Sequence, residues 1–298
     1  MGMRKKTAGI CAAVLAVAFA SLGFAAAASA HTGEWAKFNY CPSTNPGVNK
    51  CLYSLTTSGK VVLGKKTVPI VHPVTLQGGV SKPVINEVTE EQVSTFYGAT
   101  NGETLSKTPQ PVPGGLTGLV NCKEISISWV RSSCEAVLEN GVTGVNATLE
   151  LAKPASEIRV SEINLLNSEG TALLLPVKVH LENPFLGSSC YVGSSSAPLL
   201  WNLTTGTTSP PAGVAPITGN AGTAKGTESN QILNLLGTEL VDNTWSAPGA
   251  SGCGGFLIEY LINPIINLQV GLPSAAGKNQ AVLLTENALA RAVAVNEH

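Results

Sequence analysis

Residues 177–182, "VKVHLE", decide the fold: Val177, Val179 and Leu181 share one face, and Lys178, His180 and Glu182 share the other. Strict period-two alternation marks a strand half-buried in a sheet. "VNATLELA" repeats it with Val145, Ala147, Leu149 and Leu151 on one face, and "ISISWV" with Ile125, Ile127 and Trp129. In "IRVSEINLL" the alternation slips between Val160 and Ile163, as at a bulge. Asn101-Gly102 and Asn140-Gly141 supply turns between such runs, and frequent prolines keep several strands short or at edges.

Two segments read as helices. "TESNQILNLLGTEL" offers Ser229 as an N-cap and Ile232, Leu235, Leu236 and Leu240 at helical spacing. "GGFLIEYLINPIINLQVG" places Glu259, Asn263 and Asn267 four apart, a narrow polar stripe on an apolar element that Pro264 kinks or divides. It is too short to span a membrane and reads as a buried core helix. Leu-x-Asn-Pro recurs at 181–184 and 261–264, each read as a strand leading into an Asn-Pro turn. The expected fold is mainly β, sandwich-like and disulfide-stabilised, with a few short helices in the C-terminal part. Composition divides it into residues 31–110, an N-terminal β region, and 115–298, a β-rich domain with late helices. Residues 31–298 as one domain is the alternative.

Residues 1–30 read as an export signal. Arg4, Lys5 and Lys6 precede an apolar run from Ile10 to Phe24, and Ala28-Ser29-Ala30 gives the small-x-small cleavage pattern. Cleavage at Ala30/His31 would make His31 the mature amino terminus, remove Cys11, and leave no membrane span. The remaining 268 residues carry 15 basic and 19 acidic side chains, a balance of −4 without basic clusters. That excludes nucleic acid and anionic lipid as expected partners.

Six cysteines then remain, an even number suited to disulfides in an oxidising compartment. They allow fifteen connectivities. Spacing favours Cys41–Cys51 and Cys122–Cys134 as local loops, and Cys190–Cys253 as a tie between two Gly/Ser-rich loops. No C-x2-C pair supports a thiolate metal site.

The stretches "KVVLGKKTVPIVHPVTLQGG", "VHLENPFLGSSCYVGSSSAP" and "NLQVGLPSAAGKNQAVLL", with the Cys-Pro near the start, resemble an uncharacterised family of secreted actinobacterial proteins. The resemblance implies export and a shared fold. It supplies no activity, cofactor or catalytic residue.

Catalytic patterns are sparse. Asp242 is the one aspartate after residue 30, "GASGC" at 249–253 fails as a nucleophile elbow at its last residue, and the serines of "GSSCYVGSSS" read as loop formers. Glu87, Glu90 and Glu91 are close in sequence, but glycosidase carboxylates are placed by the fold. No phosphate-binding glycine motif, H-E-x-x-H or calcium loop occurs. One metal reading stays open. An amino-terminal His31 with a second imidazole, His72 or His180, would form the nitrogen set that suits Cu(II), as in lytic polysaccharide monooxygenases. His72 is the preferred second ligand and is expected to be buried, whereas His180 is expected to be exposed and His298 to sit at a mobile end. Trp35, Trp129, Trp201 and Trp245 could stack on sugars, although Trp129 fits a core strand face. The leading expectation is a secreted, non-enzymatic protein of the cell exterior or envelope, with no cofactor, acting by surface contact with cell wall or carbohydrate. A copper-dependent polysaccharide oxidase and a carbohydrate-binding module are the alternatives.

Overall fold

A computed structural model of the chain describes residues 30–85, 92–227 and 231–298. The export signal over 1–29, the acidic group Glu87, Glu90 and Glu91, and Ser229 lie outside the described residues. In chain order the elements are β1 (Lys50–Leu63), β2 (Lys66–Ile70), β3 (Val74–Val80), β4 (Val84–Ile85), β5 (Gln92–Gly98), β6 (Pro109–Pro111), α1 (Ser128–Glu139), β7 (Asn146–Leu151), β8 (Arg159–Val160) and α2 (Glu162–Asn167). There follow β9 (Leu173–Glu182), β10 (Tyr191–Val192), β11 (Leu199–Leu203), β12 (Thr223–Gly226), β13 (Ile232–Asp242), β14 (Ala250–Ser251), α3 (Glu259–Val270), β15 (Gln280–Arg291) and α4 (Ala292–Asn296).

All the ladders are antiparallel, and they form a β-sandwich-like fold. One layer is built on the long strands β13, β15, β1 and β3, and the other on β9 with β7, β8, β10 and β11. β5 passes between them: residues 96–98 pair with β3, and 94–95 pair with β8. Gly78 makes that crossing fit. At φ 156° it faces Gly98 of β5, and a Cβ there would lie 2.3 Å from the Tyr97 carbonyl oxygen. At the opposite edge β11 meets β13, where Thr204 and Val241 exchange two backbone hydrogen bonds of 3.0 and 2.8 Å. The layers are therefore joined along both edges.

Alternation in the strands fills the space between the layers. Val177, Val179 and Leu181 of β9 point inward with Leu149 of β7, and they meet Ile70 and Leu76 from the facing layer. A second cluster closes one end, with Trp35, Phe38, Val48, Ala290 and Val295 around the Cys41–Cys51 disulfide. Cys122–Cys134 ties a short 3-10 turn to α1, and Cys190–Cys253 joins the loops before β10 and α3. These pairs are the ones the spacing favours. Residues His31–His298 form one compact unit.

Six local readings change. "TESNQILNLLGTEL" holds strand β13, not a helix: Ile232 is buried on one face in the end cluster and Leu235 on the other in the main core, and a register shift against β15 between Leu235 and Thr238 keeps Thr238 on the Leu235 face. The steps Ile232, Leu235, Thr238 thus imitate helical spacing. "ISISWV" runs into α1: Val130, Cys134, Val137 and Leu138 fall at helical spacing, and Trp129 is exposed. The Asn140-Gly141 pair ends this helix instead of linking strands. The slip in "IRVSEINLL" is a change of element, since β8 ends at Val160 and the Ser161 hydroxyl caps α2 by accepting from Asn164 N. Finally, the Leu-x-Asn-Pro echo has no structural counterpart: Asn183-Pro184 leaves β9 in a turn, whereas Asn263-Pro264 lies within α3. That helix lies at the surface, not buried in the core, with Tyr260 and Leu268 exposed.

Candidate functional site

The outer face of β7, β9 and β10 gathers a set of paired polar side chains. Register places Asn146 opposite Glu182, Thr148 opposite His180, and Glu150 opposite Lys178, while Tyr191 flanks His180 from the other side. Directly opposed residues lie close enough for their side chains to interact. Lys178 Nζ is 3.1 Å from Glu150 Oε2 and 4.1 Å from the centre of the Tyr191 ring. His180 stacks on the same ring at 4.4 Å with 13° between planes. Its Nδ1 stands 3.7 Å from Glu150 Oε1 and 3.9 Å from Glu182 Oε1, in ion-pair range but beyond hydrogen-bond length. Thr148 donates to the second Glu182 oxygen at 2.6 Å.

An open groove of about 610 Å³ borders this array, lined by Asn146, His180, Glu182, Pro184 and Ser188. Asn183 shapes its rim. The amide donates to the carbonyls of Val142 and Gly144 at 3.2 and 2.7 Å, and its oxygen accepts from Phe185 N. Cys190–Cys253 pins the far end of the same loop. Among the described residues Asn146 and Ser188 have no side-chain partner at the groove wall, and His180 Nε2 is buried with its hydrogen-bonding capacity unused. The arrangement offers mixed donors and acceptors on a rigid two-stranded support.

The other sequence candidates are scattered. His72 is exposed, not buried, because it occupies the turn between β2 and β3, where buried Gln110 binds its backbone N–H and carbonyl at 3.0 and 2.8 Å. His31 is half-buried. Its backbone N donates to Asn39 Oδ1 at 2.6 Å, and its ring Nδ1 is buried without a partner. His298 stacks on Trp35 at 4.2 Å and meets Gln231. His180 faces outward as the alternation requires, yet its neighbours leave little of it open. Among the described residues no group of three or more His, Cys, Asp or Glu side chains is placed to hold a metal ion.

The tryptophans also depart from the reading as sugar platforms. Trp35, Trp201 and Trp245 are buried, the last two packed together at 5.9 Å, while Trp129 stands on the open face of α1.

Asp242 lies inside the protein at the end of β13. One carboxylate oxygen accepts from Asn202 N at 2.7 Å, and the other accepts the Thr244 N–H and hydroxyl at 2.8 and 2.7 Å. Burial pushes its pKa above the ordinary carboxylate value, against the opposing effect of the hydrogen bonds from Thr244 and Asn202. As the one aspartate after residue 30 it is the aspartate a catalytic triad would need, but its oxygens are engaged in joining β13 to β11. Glu150, Thr148 and Tyr191 were not singled out, because the sequence does not state which strands are neighbours.

Among the described residues no helix is long and apolar enough to cross a membrane. Three disulfides belong with an oxidising compartment outside the cytosol. Compared with protein-family models, curated proteins and solved structures, the chain matches none.

Proposed function

We propose that this chain is an exported, non-catalytic protein of the cell exterior, acting through surface contacts in the envelope or matrix. The mutual pairing of the polar groups on the β7–β9–β10 face supports this reading. Lys178, Glu150 and Glu182 bind one another or their neighbours, which suits a fixed recognition surface better than a proton-transferring centre. Asp242, whose proton affinity is displaced, is enclosed at a strand junction. The test is an assay of the purified protein on polysaccharides, glycosides and esters, with Glu150→Gln, His180→Ala and Glu182→Gln as controls. No turnover above the triple variant is expected. Turnover that these substitutions abolish would overturn the reading.

The groove favours carbohydrate as the contact, a second and finer reading. Its unpaired amide and hydroxyl, beside a carboxylate, match the donors and acceptors of sugar hydroxyls. Retention of the protein on insoluble cell-wall glycan, reduced in Asn146→Ala and Ser188→Ala, is the expected result. Equal retention of all three proteins would remove the groove from consideration.

A further inference from the structure

Helix α3 is turned inside out. A surface helix ordinarily shows its polar side to water, but the polar stripe here faces the protein. Asn263 Oδ1 accepts from Cys253 N at 2.9 Å. Asn267 Oδ1 accepts from Ala250 N at 2.7 Å, and its amide returns a 3.4 Å hydrogen bond to the Ala250 carbonyl. The asparagine thus supplies edge strand β14 with the two-point pairing that a neighbouring strand would give. Ile262, Ile266 and Val270 fill the rest of the inner side.

What remains for the outside is apolar. Tyr260, Pro264 and Leu268 recur every four residues along α3 and form one ridge, and Phe256 and Leu257 stand exposed in the turn that leads into it. Phe256 is 90% exposed, Leu257 75%, Tyr260 63% and Leu268 64%. Glu259 is the single charged residue between 249 and 273, and it lies half-buried off the ridge. Side chains of this size present on the order of 550 Å² together, near the upper end of the largest apolar patch on a typical monomer.

We propose that this ridge is the contact surface for a second copy of the chain, with the two α3 helices crossing antiparallel about a two-fold axis near Pro264. Two such ridges would remove up to about 1,100 Å² from water in total, close to the lower limit for a specific interface. The ridge side chains themselves carry no charge and so oppose one another across a two-fold without like-charge repulsion, and the cation placed against them, Lys65, has its ammonium turned to the Leu268 carbonyl at 3.4 Å. The axis at Pro264 sets Tyr260 against Leu268 of the second copy, and the short proline ring at the crossing lets the helices approach. Ridges spaced by four residues favour a crossing near about −50°. A membrane surface fits less well, because helices lying in a bilayer interface carry lysine and arginine on a solvent-facing polar side, and α3 has neither residue. The proposal stands apart from the groove and from the non-catalytic reading.

Sedimentation equilibrium of the purified protein, from dilute solution to the millimolar range, tests it. The wild type is expected to approach twice the monomer mass as concentration rises. Tyr260→Glu and Leu268→Lys should each weaken association at least tenfold, with circular dichroism and thermal midpoint unchanged. Leu236→Lys, at an exposed leucine on β13, should have no effect on association. If Tyr260→Glu disturbs folding, Tyr260→Ser takes its place. A wild type that stays monomeric throughout overturns the proposal, as does undiminished association of both ridge variants. Monomeric wild type that sediments with neutral phosphatidylcholine vesicles, while the ridge variants do not, assigns the ridge to lipid and also overturns it.

Discussion

The carboxylate of Asp242 receives the backbone N–H of Asn202 at 2.7 Å, so a side chain on β13 acts as ladder partner to a residue of β11. Together with the Thr204–Val241 bridge, this contact fastens the second edge at which the layers meet. An amide nitrogen at either carboxylate position would oppose a donor. Asp242→Asn is therefore expected to cost about 2–3 kcal/mol, read as a lower urea midpoint with unchanged slope.

The same group gives stability an unusual pH trend. Its folded pKa is raised, so the folded chain holds this proton more tightly than the unfolded one, and the ionised form costs stability at neutral pH. The cost is relieved as pH falls through the raised value and is gone below the ordinary carboxylate value of 3.8. Thermal midpoints measured against pH should show wild type gaining on Asp242→Asn as pH falls. A constant gap between the two proteins would contradict this assignment.

Loop length ranks the disulfides. Cys190–Cys253 closes a separation of 63 residues and Cys41–Cys51 one of 10. Chain entropy then predicts losses of about 4 and about 3 kcal/mol on paired replacement by serine. Denaturant titration of the two double variants checks the order. Removing Cys190–Cys253 should also loosen the groove loop, raising hydrogen exchange over residues 183–190.

Leu149 borders two interior voids of about 50 and 30 Å³. Leu149→Ala would merge them in a place where surrounding strands cannot collapse inward. A loss of about 3–5 kcal/mol is expected, in the upper range for such truncations. Xenon uptake seen by NMR in the variant, and not in wild type, would locate the enlarged space.

Tyr191 tests how the polar face is held. Its ring carries both His180 and the Lys178 ammonium, while its hydroxyl has no partner among the described residues. Tyr191→Phe should leave stability unchanged, whereas Tyr191→Leu should cost about 1 kcal/mol and release the His180 ring, visible in its NMR line widths.

Period-two alternation in "VKVHLE" and "VNATLELA" was enough to orient β9 and β7, so the outward direction of Lys178, His180 and Glu182 was legible. Their partners were not, since Glu150 and Thr148 reach them only through a register fixed by the whole sheet. β13 misled because it is buried on both faces, with Ile232 and Leu235 in different clusters, and because its register shift sets Leu235 and Thr238 three residues apart on one face. In α3 the stripe of Glu259, Asn263 and Asn267 was visible, but its direction depended on the unpaired edge of β14, which no local pattern announces. His72 was read as buried from its apolar neighbours, although the turn it occupies is set by distant Gln110.

The first and last long strands of the unit lie side by side, with Lys50 of β1 opposite Arg291 of β15, and Trp35 stacked on His298 nearby. Tension applied between His31 and His298 would therefore enter this ladder at one end and open it like a zipper, one pair at a time. Force applied between these two residues should thus separate β1 from β15 at low load.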